Sequence, residues 1–249
     1  DFVIASIHAA AEMCPWPSPD RQDAWRALVD AGADVVHGHH AHVPQGWEAY
    51  EGGLIFYGLG NLCIDPAAWS GHAQALWSLV PELSWDSGQV TMRAATAVIE
   101  DSGQSLHIRD ADPVEAQAHQ AYLAECNRPL ADRPALEALW QEVSVRQYWA
   151  YYADWLRFER PAAETKIGLR HCTHELLQRI RRPWLQVVSP PSPRPVVHKG
   201  QYLLWHVLFA CESHSEAIAT ALGVLGGALE DLRSDETARL VDAMMPSMT

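Results

Sequence analysis

Asp34-Val35-Val36-His37-Gly38-His39-His40-Ala41-His42 is a short apolar run that passes directly into a glycine and a knot of imidazoles. Four of the thirteen histidines fall in its last six positions. Neutral imidazole is the commonest protein ligand for transition metals, so this density at a strand end reads first as a metal or phosphate site. A polar surface loop is the alternative reading. A second pair, His171 and His174, has a His-x-x-His spacing that puts both rings on one helical face. No third ligand stands beside it, and a solvated helix face is the better reading there.

The elements that must position the first cluster are legible around it. Phe2 to Ile7 reads as a buried strand ending at His8. Ser18-Pro19 is a helix start, with a side-chain oxygen to cap and a proline at the first helical position. The expected helix runs from about Asp20 to Ala31, with Ala24, Trp25, Leu28 and Val29 on its apolar face and Gly32 as its stop. Residues 34–37 form the next strand. Strand, helix, strand implies two parallel strands with a helix on one face, and ligands gather at the carboxyl ends of such strands. His8 and the cluster His39 to His42 both lie at such ends, so the spacing alone brings them near each other.

Further strands are expected at Gly46–Tyr50 and Leu54–Tyr57, joined by the turn Glu51-Gly52-Gly53. The second ends in Gly58-Leu59-Gly60-Asn61, where glycines beside an amide allow close approach to a ligand. An ordinary turn fits that tetrapeptide equally well. Ala75–Leu83, Val90–Glu100 and Ser105–Arg109 read as an antiparallel meander, with Asp-Ser-Gly-Gln in both turns. Asp112-Pro113 marks a boundary. Beyond it helices are expected at about Val114–Asn127, Pro134–Arg160, Ala162–Arg181, twice between Gln201 and Arg233, and at Asp235–Met244. The aromatic run Tyr148 to Trp155 gives the second of these a heavy face, better suited to core or interface than to a ligand box. Ser189-Pro190-Pro191-Ser192-Pro193-Arg194-Pro195 is an extended proline-rich linker. The expected division is therefore 1–111 and 112–249.

Composition excludes several classes. The formal net charge of −13 disfavours nucleic acid and anionic membrane surfaces as partners. An anionic substrate would need a metal or a local basic group. The five cysteines are scattered and form no Cys-x-x-Cys pair, so neither a disulfide framework nor a zinc ribbon is suggested. No stretch reaches about 18 consecutive apolar residues, so no membrane span is expected. Arg179, Arg181 and Arg182 form a basic spot at the end of an expected helix, where the dipole favours cations. The chain opens directly on a strand-like run, and the expectation is that an N-terminal part is missing.

Read in order, His8-Ala9-Ala10-Ala11-Glu12, Pro19, Asp30-Ala31-Gly32-Ala33-Asp34-Val35-Val36, Gly38-His39-His40-Ala41-His42-Val43, Gln45-Gly46, Glu48-x-Tyr50 and Tyr57-Gly58-Leu59-Gly60-Asn61 form one series. It resembles the capsule-biosynthesis family typified by CapA, the poly-gamma-glutamate synthesis proteins, which are similar to metallophosphoesterases. The resemblance covers residues 1–66 strongly and 67–110 loosely. It implies a calcineurin-like α/β metallophosphoesterase sandwich, partial here and lacking its N-terminal half, followed by a mostly α-helical region. It implies metal ligands at His8, His39 and His42, with His40 ranked below them, and catalytic roles for Glu12 and Asn61. It implies divalent metal (Mn, Fe, Zn or Mg), dinuclear in the full-length protein. The implied activity is metal-dependent hydrolysis of an anionic ester or amide, from a small molecule or an anionic polymer. A non-catalytic accessory or binding module in capsular polymer assembly is the alternative. The resemblance points to the cell envelope, whereas unpaired cysteines lean towards a reducing compartment. Two departures stand out: Ala9-Ala10 where the family usually has Trp-Gly, and Gly58 where it usually has serine. The family's earlier Gly-Asp and asparagine-histidine motifs find no match.

Overall fold

β1 (Ile4–His8) and β2 (Val35–His39) run parallel, and α1 (Pro19–Asp30) crosses between them. The computed structural model describes residues 2–69, 71–86, 89–101, 105–156 and 199–245. Ser18 caps α1 as its sequence predicts, its hydroxyl accepting from the Arg21 N–H at 3.2 Å. Gly32, at φ 107°, follows Ala31 at the helix end. β3 (Trp47–Tyr50) and β4 (Gly53–Phe56) form an antiparallel hairpin, and β4 pairs parallel with β2. The sheet order is β1-β2-β4-β3.

The alternation of side chains divides this sheet's apolar residues between two cores. Val36, Ile55 and Tyr57 pack against Trp25 and Val29 of α1. Val35, Leu54 and Phe56 face the other way, toward Trp77 and Leu79. Being buried on both faces, Val35–Val36 of β2 and Leu54–Phe56 of β4 read as continuous apolar runs rather than alternating ones. Gly38 is forced by the tight seat of α1: a Cβ there would collide with the Trp25 ring and the Tyr57 carbonyl.

The expected meander is present as β5 (Trp77–Asp86), β6 (Gln89–Asp101) and β7 (Leu106–Asp110). It is a separate antiparallel sheet packed on the first, touching it through a Gly60–Ser78 bridge and the shared core. α2 (Pro113–Asn127) completes that core with Tyr122, Leu123 and Cys126. Its start is fixed by a capping box between Asp112 and Glu115.

α3 (Arg133–Gln147) ends in a π turn, Tyr148–Tyr152, before a short α4 (Ala153–Leu156). The single helix expected over Pro134–Arg160 is thus interrupted within its aromatic run. Tyr148, Trp149, Tyr151 and Tyr152 crowd four bulky rings into five positions, and the widened turn lets Tyr152 reach the core while Tyr151 stays outside. α5 (Lys199–Ala210), α6 (Glu212–Leu225) and α7 (Asp235–Met244) follow. Their core joins Leu136, Trp140 and Val143 of α3 to Leu208, Ile218 and Val241, and it takes in Cys14 and Trp16 from the loop after β1. The expected helix Ala162–Arg181, the His171–His174 pair, the Arg179–Arg182 spot and the 189–195 linker lie outside the described residues. The chain is a mixed α/β protein, and no described helix is long and apolar enough to cross a membrane.

Candidate functional site

The register of β1 against β2 sets His8 directly opposite His39, both at the carboxyl ends of their strands. β2 extends to His39, two residues beyond the expected strand, so His39 is held by the sheet. Its ring meets that of His8 with the two Nδ1 atoms 2.6 Å apart. One nitrogen must donate the proton that the other accepts. Burial first, then the neighbouring imidazoles His8, His37 and His40, lower the His39 pKa below its ordinary 6.5.

Past His39 the chain leaves the sheet through two left-handed residues, His40 at φ 97° and His42 at φ 60°. Positive φ is uncommon for a side-chain-bearing residue, and strained residues cluster at functional sites. The turn breaks strand alternation and swings both rings toward Glu12. Ligand-capable atoms of Glu12, His40 and His42 all lie within 4.8 Å of one another. His40, ranked lowest by sequence, is therefore the residue in the middle. Its Nε2 is 4.0 Å from the Glu12 carboxylate, and its ring lies 4.7 Å from His8 and 6.1 Å from His42. Burial lowers its pKa, against the opposing pull of Glu12.

His42 is oriented by Asn61. The Asn61 Nδ2 donates to the His42 and Ala75 carbonyls, each at 3.0 Å. Two carbonyl acceptors fix which end of the amide is NH2, so Oδ1 is the atom 2.9 Å from His42 Nδ1. An amide oxygen only accepts, so Nδ1 carries the proton and Nε2 is left as a free lone pair. That is the tautomer a metal-binding histidine needs, set by a partner behind it. Gly60, at φ 82°, makes this possible: a Cβ there would lie 2.6 Å from the Trp77 carbonyl.

Other residues of the motif series hold the frame. Glu48 accepts both guanidinium bonds from Arg26 at 2.9 and 2.7 Å and the Tyr57 hydroxyl at 2.5 Å, tying α1 to β3 and β4. Tyr50 lies under the Arg26 guanidinium. Buried Gln45 donates to the Cys14 and Trp16 carbonyls, which fixes the loop just after Glu12.

Sequence reasoning did not anticipate the far wall. A cleft of about 430 Å³ opens at Glu12 and His40, and Trp69, His72, the π turn and the start of α6 close around it. The Trp69 ring covers His42 at 4.6 Å. Tyr152 and His214 meet across the wall, hydroxyl to Nδ1, at 2.8 Å. No spacing relates position 40 to position 214. The one available signal was the aromatic run, whose partner the sequence does not name.

The donor set fits a borderline transition ion. Imidazole nitrogen with one carboxylate suits Zn, Fe or Mn, whereas Mg prefers oxygen ligands.

Comparison with known proteins matches residues 1–66 to the family described as bacterial capsule synthesis protein PGA_cap. The capsule biosynthesis protein CapA of Bacillus anthracis is 45% identical over 65 residues, covering 26% of this chain and 16% of that protein. The PGA biosynthesis protein CapA of Bacillus subtilis is 42% identical over 65 residues, covering 26% and 17%. A probable polyglutamine synthesis accessory protein of Mycobacterium tuberculosis is 36% identical over 72 residues, covering 29% and 19%. The family resemblance read from the motif series is thus shown for the N-terminal quarter of the chain. The chain spans less than a fifth of the length of each of these relatives.

Proposed function

We propose that this capsule-synthesis-type segment forms a divalent-metal site for hydrolysis of an anionic ester or amide in capsular or poly-gamma-glutamate polymer metabolism. The observation that carries the reading is the convergence of Glu12, His40 and His42, with Asn61 fixing the His42 tautomer. Two facing sheets with α1 on the outside support the finer fold reading, in which 1–111 is the C-terminal portion of a calcineurin-like metallophosphoesterase sandwich and 112–249 an α-helical region.

Glu12, His40 and His42 would hold one ion, and the adjoining pair His8 and His39 would bind beside it in a dinuclear arrangement. An ion held there supplies Lewis-acid polarisation of an ester, phosphoryl or amide oxygen. The remaining work belongs to this chain. The His8–His39 pair shares a single proton between its Nδ1 atoms. Asn61 holds the neutral His42 ring in its Nδ1–H tautomer, and the Trp69 ring lies 4.6 Å from it.

The test is metal content and hydrolysis of a generic phosphodiester by the 249-residue chain. Stoichiometric Zn, Fe or Mn, with turnover abolished by His42→Ala, is the expected result. Absence of any bound divalent ion overturns the reading.

A non-catalytic accessory role is the alternative. Trp149 and Tyr151 favour it, being 52% and 49% exposed on the π turn, as a surface for a partner would be. Metal binding without hydrolysis in a protein of the relatives' full length would decide for it.

A further inference from the structure

The cleft beside Glu12 and His40 has a second wall, and that wall is chemically distinct from the histidine end. Glu12 is the one carboxylate lining it, and no lysine or arginine lines it among the described residues. In a chain of net charge −13, a run of carboxylates entering this space would meet no compensating cation. The cleft therefore suits an uncharged ligand portion.

The walls also argue against an extended peptide. Peptides are commonly captured by adding a strand to an open sheet edge. Here the lining comes from a 3-10 turn, a π turn and the start of an α-helix, with no strand edge among them. Recognition falls to side chains. Trp69 and Tyr151 offer flat aromatic faces, and Gln147, His72, Ser213 and His214 offer hydrogen-bond donors and acceptors around them. Tyr152 holds the His214 ring by its Nδ1, leaving Nε2 for the cleft. Flat apolar faces framed by hydrogen-bonding side chains match a ring whose two faces are C–H and whose rim is hydroxyl. The volume of about 430 Å³ lies in the range of small-ligand pockets, roughly 300–1,000 Å³.

We propose that this cleft binds a neutral glycosyl unit, read by Trp69 and Tyr151 through stacking and by His214 and Ser213 through its hydroxyls. The proposal rests on the metal-site reading only for what the sugar is joined to, an anionic ester or amide held at the Glu12–His40 end. It assigns to the helical half the recognition of the non-reacting part of the substrate.

The test is calorimetric and NMR titration of the 249-residue chain, with and without Mn²⁺. The probes are neutral trisaccharides of glucose and of N-acetylglucosamine, a neutral Gly-Ser tripeptide and a glutamate trimer. The expected result is that at least one trisaccharide binds without metal. Tyr151→Ala should weaken that binding roughly two- to tenfold, while Tyr151→Phe retains it. Tyr151 is half exposed, so its removal leaves the core intact. Binding of no trisaccharide, tighter binding of either peptide, or sugar binding indifferent to Tyr151→Ala overturns the proposal. Sugar binding in a chain that takes up no Mn²⁺ leaves the glycosyl cleft standing and overturns the metal-site reading alone.

Discussion

Asn61 grips His42 at both ends, its amide nitrogen on the His42 carbonyl at 3.0 Å and its amide oxygen 2.9 Å from Nδ1. Residues 19 positions apart are thereby made one unit. Asn61→Ala would strip the partner from Nδ1 and free the imidazole to take the other tautomer. Metal affinity should fall about 10- to 100-fold, as it does when an outer partner of a metal-bound histidine is lost. Isothermal titration with Zn²⁺ measures this, and an unchanged affinity would show that the tautomer is set elsewhere.

The three-residue cluster makes a different prediction from the two-residue pair. Glu12→Gln, His40→Ala and His42→Ala should each lower the affinity of the tightest ion, whereas His37→Ala should not. His8→Ala should chiefly lower the stoichiometry of a second ion. Metal content after exhaustive dialysis distinguishes these outcomes.

Glu48 sits at the junction of α1 and the sheet, and the whole site hangs from that junction. Tyr57→Phe deletes one hydrogen bond and leaves the Arg26 pair in place, at a cost of about 1 kcal/mol. Glu48→Ala strands a buried hydroxyl and a half-covered guanidinium together, and should cost about 3 kcal/mol. Urea unfolding of the two variants gives the ratio.

Gly38→Ala should cost as much as Glu48→Ala. The added methyl has no room between the Trp25 ring and the Tyr57 carbonyl, neither of which is the end of a flexible side chain. Overpacking of this kind costs about 3 kcal/mol, so a variant with near-normal urea stability would show that α1 can move away.

Acid should loosen the joint between β7 and α2. Glu115 accepts from Arg109 at 2.6 and 2.7 Å and from the Asp112 N–H, and these hold its carboxyl down to about 2, against an ordinary 4.5. A carboxyl whose folded-state pKa is depressed stabilises the fold above its ordinary value. That contribution is lost as pH falls through about 4.5 toward about 2. Glu115→Gln should therefore be less stable than the parent at pH 6, with the gap closing by about pH 2, as followed by circular dichroism.

The β1-α1-β2 unit was readable from sequence because its signals are local: Ser18-Pro19 opens the helix, Gly32 ends it, and apolar runs flank both. That His8 faces His39 also follows, since parallel register ties strand ends together. Which histidine joins Glu12 does not follow. Side-chain direction beyond β2 depends on positive φ at His40 and His42, and a run of histidines carries no mark of it. The π turn was hidden for a related reason, because aromatic spacing fits an α-helix until the rings must pack. The far wall of the cleft brings Trp69, Tyr152 and His214 to Glu12 and His40, across separations that no periodicity encodes.

Trp16 and Cys14, only two to four residues past Glu12, are buried among α3, α5, α6 and α7 rather than against the sheet. The side chains of the loop that offers the carboxylate are thus packed into the helices, while Gln45 holds its backbone to the half that anchors the imidazoles it must meet. Site occupancy and docking of the helices are therefore linked equilibria. A ligand that draws Glu12 to His40 and His42 should slow hydrogen exchange in α6, and any change that loosens α6 should weaken the ligand without touching an imidazole.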